Sequence, residues 1–172
     1  MMMRTPEAAL ITDIDATFFS LYHREAPLVL RYLYARVRDM PTAEDLCSDT
    51  FCRAWDSWRR FGGDDTAARA WVMTIARNRL TDHLRHNRRV TFEELSESHS
   101  VSGGADEQSP GRIDLRRALA GLSSDDRDLV AMRMAGMSHS EIAMVQGRSE
   151  DAVKKSWQRA LLRARSVLEA DA

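Results

Sequence analysis

This chain of 172 residues has only two cysteines, no long apolar run, no glycine-rich phosphate loop and almost no net charge. Each absence excludes something. Cys47 and Cys52 lie five residues apart on an expected helix, which sets them on different sides of it and away from a shared disulfide or metal. His23, His83, His86, His99 and His139 form no ligand pattern with them, so no metal and no cofactor is expected. The opening MMMRTPEAALITDID holds no apolar stretch long enough for a secretion signal or a membrane span, which points to the cytosol. No Ser/His/Asp or Cys/His set sits in a catalytic context, so the chain does not read as an enzyme. Strand alternation and internal repeats are also missing, and helical periodicity dominates.

The net charge of −1 conceals segregation. Between Arg69 and Arg89 stand six arginines (Arg69, Arg77, Arg79, Arg85, Arg88 and Arg89) against the single acid Asp82. Between Arg148 and Arg165 six basic residues face Glu150 and Asp151, whereas Asp39 to Asp56 holds five acids and only Arg53. A uniformly basic chain would bind polyanions indiscriminately. Two basic patches separated by acidic surface suit two defined nucleic-acid contacts and a different partner between them.

Residues 90–111, VTFEELSESHSVSGGADEQSPG, carry five acids and no Lys or Arg, and read as a flexible, self-repelling linker. The expected fold is all-α: two small helical domains, 13–89 and 112–168, joined by that acidic segment. The first should hold four helices. These are 16–23; 26–37 with Pro27 in its first turn; 42–61 capped by Thr42 with Asp45 three residues on; and 67–87 after the Gly62-Gly63-Asp64-Asp65 break. On the third, Cys47, Phe51, Ala54, Trp55 and Trp58 form a core stripe, and Asp45, Asp49, Arg53 and Asp56 an outward face. On the fourth, Trp71, Ile75, Leu80 and Leu84 face inward while Arg77, Arg85, Arg88 and Arg89 project.

Residues 138–165 read as a short helix, a turn at Gly147 and a longer helix capped by Ser149, with Glu150 and Asp151 at its positive end. Val153, Trp157, Ala160, Leu161, Ala164 and Leu168 form the apolar stripe of that second helix. Lys154, Lys155, Gln158 and Arg159 share another face. Taken alone, such a face suits either a solvated basic surface or a DNA major groove, and the pattern leaves both open.

Two stretches carry a resemblance. AEDLCSDTFCRAW (43–55) followed by ARAWVMTIARNRLTDHLRHNRR (68–89) resembles the second conserved region of bacterial sigma factors. ALAGLSSDDRDLVAMRMAGMSHSEIAMVQGRSEDAVKKSWQRALLRAR (118–165) resembles their fourth. The order, the linker and the two-domain layout resemble the extracytoplasmic-function (ECF) group, over roughly residues 16–168.

The resemblance implies a sigma factor that binds core RNA polymerase and directs promoter recognition, melting and initiation at a specific regulon. It implies core-polymerase docking through Asp45, Ser48, Asp49 and Arg53. For the minus-ten element, held as single strand, it implies a pocket at Phe61, the 62–66 loop, Met73 and Asn78. Arg77, Arg85, Arg88 and Arg89 would hold that strand's backbone. A helix-turn-helix would read the duplex minus-thirty-five element through Ala152, Lys154, Lys155, Gln158 and Arg159. An anti-sigma factor is a further implied partner. The chain departs from the group's common Gly-Thr-Val run at Asp151-Ala152-Val153, and again at Ser156 and Trp157. The rival reading is a stand-alone helix-turn-helix regulator, which would have no use for a basic, Asn-bearing helix after a glycine loop.

Overall fold

Pro27 sits in the middle of a helix rather than at the start of one. In the computed structural model, which describes the backbone of residues 6–94 and 122–170 and the side chains of 16–65, 67–87 and 122–166, the two expected N-terminal helices are a single element, α1 (Pro6–Val37). A proline inside a helix costs about 3 kcal/mol. Here Phe18 and Leu21 before it, and Leu28, Val29, Tyr32 and Leu33 after it, are all buried in one core. Each such side chain contributes about 1.5–3 kcal/mol on burial, so packing on one common surface outweighs the lost rung.

Helix α2 (Met40–Trp58) starts two residues earlier than the sequence suggests. Its cap is Asp39, whose carboxylate accepts the Thr42 N–H at 2.9 Å, and Pro41 occupies the first turn where its missing N–H leaves nothing unsatisfied. The core face is Ala43, Leu46, Thr50, Phe51 and Ala54. Trp55, expected in that stripe, lies at its edge. It meets Phe18 edge-on at 5.0 Å and stays 40% exposed. Cys47 is half-buried and Cys52 exposed; burial pushes the Cys47 thiol up to about 11, which keeps it protonated.

Helix α3 (Asp65–Glu94) also begins earlier than expected, because Asp64 caps it by accepting the Ala67 N–H at 2.8 Å. The acidic Gly-Gly-Asp-Asp loop is in this respect a helix start. The helix continues through residues 90–94, which the sequence assigned to the linker. The rest of the linker, and its expected mobility, lies outside the described residues.

The C-terminal half comprises α4 (Ser124–Ala135), α5 (His139–Gln146) and α6 (Glu150–Ala170). Ser123 and Ser138 cap α4 and α5, the latter through a reciprocal box with Glu141. Gly136 and Gly147 end them at φ 107° and 62°, left-handed values that favour glycine. Ser149 accepts the Ala152 N–H at 3.2 Å, as the sequence indicates. No strand occurs among the described residues. On α6 the inward face is Val153, Ser156 and Ala160, with Trp157 half-buried. Leu161, placed in the stripe by periodicity, is 49% exposed. Leu168 lies outside the described side chains.

The two halves share one core. Helix α4 packs on α1 and α5 on α3. Polar bonds stitch this seam. The Arg31 guanidinium donates to the Ala135 carbonyl at 2.7 Å, at the negative end of α4. Glu25, 1% exposed, accepts from Arg24 at 2.7 Å and from Arg69 at 2.8 Å, and Arg69 reaches on to Glu141 at 2.9 Å.

The Glu141 carboxyl is held below the usual range. Its burial would raise it, but bonds from Ser138 and Arg69 to the charged form outweigh that. A depressed folded value means that the contribution is present at neutral pH and is lost as pH falls through that value. Glu141→Gln should therefore be about 1–2 kcal/mol less stable than wild type at pH 7. The gap should close as the solution is acidified. Melts at stepped pH check this, and a gap constant down to pH 3 would exclude the ionised carboxylate as its source.

Candidate nucleic-acid interface

The fourth helix of the sequence reading, now α3, presents two distinct flanks. Trp71, Asn78 and Arg85 recur at seven-residue spacing and so lie along one face. Asn78 and Arg85 are exposed there. At the head of that face the rings stack: Phe61 lies against Trp58 at 5.4 Å and 13°, and against Trp71 at 4.7 Å and 25°. Gly63 permits this closure, since a Cβ there would stand 2.5 Å from the Phe61 ring and 2.9 Å from Ala67 Cβ. Met73, expected to line the same pocket, is wholly buried in the core instead. With Val72, Ala76 and Leu80 it forms the inward stripe of α3, buried in the shared core.

Arg77 belongs to the other flank and does not project. Its guanidinium donates to Asp125 at 2.6 Å and Asp128 at 3.1 Å, both on α4. Burial alone would lower its pKa, but the two carboxylates raise it, so it stays charged. Asp128 is 3% exposed and also accepts from Arg36 at 2.7 Å and from the Tyr32 hydroxyl at 3.0 Å. Burial, with Asp128 alongside, pushes the Tyr32 phenol well above its ordinary value, so it remains a donor. The structure therefore separates the expected backbone-holding arginines. Arg85 is open, Arg77 is engaged by the C-terminal half, and Arg88 and Arg89 lie outside the described side chains.

On α2, Asp45, Ser48 and Arg53 are exposed. Asp49 stands between Arg53, at 3.2 Å, and Arg79 of α3, which also reaches Asp82 at 3.2 Å. The face is a charge-alternating surface with no buried member, suited to a polar protein contact.

On α6, Lys154, Lys155, Gln158 and Arg159 are all exposed on the flank opposite Val153 and Ala160. Lys154 pairs with Glu150 at 2.8 Å, one turn back, which raises the lysine and lowers the glutamate. An open cavity of about 470 Å³ is lined by Arg148, Ala152, Lys155, Gln158, Arg159 and Leu162. Arg148 was outside the expected site: it precedes the helix, so helical spacing could not align it with Arg159. The geometry is that of a helix-turn-helix with a cationic second helix.

Comparison with known proteins agrees. Residues 21–90 match Sigma-70 region 2 and residues 112–163 match Sigma-70 region 4. The ECF RNA polymerase sigma factor BldN of Streptomyces coelicolor is 35% identical over 99% of this chain and 67% of its own length. The ECF sigma factor SigL of Mycobacterium tuberculosis is 30% identical over 87% of this chain and 88% of its own. In solved structures, the sigma factor RpoE of Bartonella quintana, crystallised with the anti-sigma factor NepR, superposes with a TM-score of 0.67. It is 25% identical, over 91% of this chain and 99% of that one. The chain belongs to the ECF sigma factors, proteins that direct RNA polymerase to initiate transcription. That family is not an enzyme class, and no described helix is long and apolar enough to cross a membrane.

Proposed function

We propose that residues 13–89 bind core polymerase and the melted minus-ten element, that 90–111 is the connecting segment, and that 112–168 reads the minus-thirty-five duplex. Core polymerase docks on Asp45, Ser48, Asp49 and Arg53. The face of α3 that runs from the Phe61–Trp71 stack through Asn78 to Arg85 receives the single strand, with Arg88 and Arg89 continuing it. Asn78 reads a base edge, and the ring stack walls the site rather than offering a free face, since Trp58 and Trp71 lie against Phe61. Met73 supports this wall from inside, and Arg77 joins the backbone contacts only after α4 has moved away. Ala152, Lys154, Lys155, Gln158 and Arg159 face the duplex. An inhibitor of the anti-sigma kind covers both halves in the closed arrangement, a reading that rests on the likeness to the inhibitor-bound RpoE. The protein works in the cytosol, without a cofactor.

The observation that carries this reading is the pairing of an exposed amide and arginine on α3 with a separate cationic helix-turn-helix in one chain. A stand-alone regulator needs only the second. Opening DNA costs stacking energy, and a captured base at about 1–3 kcal/mol repays part of it. Asn78→Ala should therefore reduce open-complex formation by about tenfold while leaving duplex binding and the melting temperature near wild type. Phe61→Ala should lower both open-complex formation and stability, because it also dismantles the stack. Permanganate footprinting of the reconstituted holoenzyme reads the first effect, and a premelted template should partly rescue it. Equal footprints for wild type and Asn78→Ala at limiting enzyme would remove Asn78 from the strand-holding face.

A further inference from the structure

Ser156 is the one buried polar side chain among the described residues of α6, 2% exposed, and among them its hydroxyl makes no direct hydrogen bond to another helix. It accepts two guanidinium bonds instead, from Arg148 at 2.6 Å and from Arg159 at 3.0 Å. Arg148 is braced further: it donates to the Gln146 side-chain carbonyl at 3.0 Å and to the Ala152 carbonyl at 3.2 Å. Gln146 in turn donates to the Asp125 carbonyl at 3.0 Å. A strut thus runs from the start of α4, across the end of α5 and the Gly147 turn, to the outward face of α6. Among the described residues no carboxylate pairs with Arg148 or Arg159. Two cations are held together by one neutral oxygen, at the rim of the open cavity.

Like charges at such separation repel, and only the shared acceptor and an outside anion or electronegative surface favour the arrangement. A free arginine carries much rotamer entropy, so pinning it before contact removes a cost that each binding event would otherwise meet. We propose that Ser156 is a positioning residue that couples Arg148 and Arg159 into one rigid double-guanidinium head. The head spans adjacent acceptors of duplex DNA, with Arg159 on a base edge and Arg148 a second DNA contact beside it. The inference rests on the minus-thirty-five reading of α6 and adds to it a residue, Arg148, and a device, the shared hydroxyl.

The test is initiation by reconstituted holoenzyme across a minus-thirty-five library at two salt concentrations, for Ser156→Ala, Arg148→Lys, Arg159→Ala and Ser156→Ala/Arg159→Ala. Ser156→Ala leaves the charge unchanged, so the salt dependence should stay at wild type. Discrimination at the base position that Arg159→Ala erases should fall by about tenfold. Arg148→Lys keeps the charge but loses the fork, and should do the same. In the double variant Ser156→Ala should add nothing at that position, because its effect acts through Arg159. A uniform loss on all library members with their ranking intact would make Ser156 merely structural and overturn the proposal. So would additive effects in the double variant. A wild type without minus-thirty-five preference, or an Arg159→Ala variant with unchanged ranking, would show instead that the reading of α6 itself had failed. Were Ser156→Ala to fold poorly, Arg148→Lys alone decides the matter by the same ranking.

Discussion

Replacing Asp128 with alanine is expected to separate the two halves of the protein. The carboxylate is the shared acceptor of Tyr32, Arg36 and Arg77, from two helices of the other half. Arg36 and Asp128 retain only 9% and 5% of their side-chain exposure. Removing one partner of a buried pair leaves the other as an uncompensated charge in a poorly solvated place, at a cost of about 3–5 kcal/mol. The remaining cations relieve that cost by moving apart into water, which opens the seam. Tyr32→Phe removes only one of the three bonds and should cost about 1–2 kcal/mol. Melting temperature together with the radius of gyration from solution scattering reads both effects. The idea fails if Asp128→Ala costs no more than Tyr32→Phe and leaves the scattering curve unchanged.

Asp49→Arg should have the largest effect on assembly with polymerase. The carboxylate sits between Arg53 and Arg79. Charge reversal would convert an alternating surface into a cluster of three guanidiniums. Like-charge juxtaposition at an interface costs several kcal/mol, so core association should weaken by about 2–4 kcal/mol. Asp49→Asn, which keeps the shape and loses the charge, should fall between the two. Circular dichroism should show helical content unchanged, because the face lies outside the core. Competition against wild type for limiting core polymerase measures the difference. Equal competition by Asp49→Arg would remove this face from the docking surface.

What could be read from the sequence was what is local. The turn at Gly147 and the cap at Ser149 are written in adjacent residues, and the structure has both. The apolar stripe Val153–Ala160 follows from period alone. Most of the misreadings share one cause. Pro27 looks like a helix start until a common core is known to hold both flanks of it. Trp55 and Leu161 have the right period for burial, but whether a neighbour covers them depends on helices distant in sequence. Asp128 is invisible in the chain: an acid near a helix start reads as solvated until Arg36 and Arg77 are brought to it. For the same reason Arg77 reads as a projecting cation. One misreading is local: Thr42 with Asp45 fits the capping pattern, which does not register that Pro41 suits the first turn of a helix capped by Asp39.

The hydrophobic cluster that runs from Phe18 of α1 to Val153 of α6 has a consequence for cooperativity. Two small domains with private cores would melt independently and yield two calorimetric peaks. A shared cluster makes each half part of the other's interior, so one transition with equal calorimetric and van't Hoff enthalpies is the natural outcome. It also fixes the energetics of any extended state. The faces of α1 and α4 that now cover each other would meet water on separation, and that exposure is unfavourable by about 25 cal/mol for each Å² of apolar surface. With the Asp128 pairing intact, a stable open form therefore belongs to a complex in which another macromolecule supplies the missing half of the interior. Free chain and bound chain then differ in which molecule completes the core.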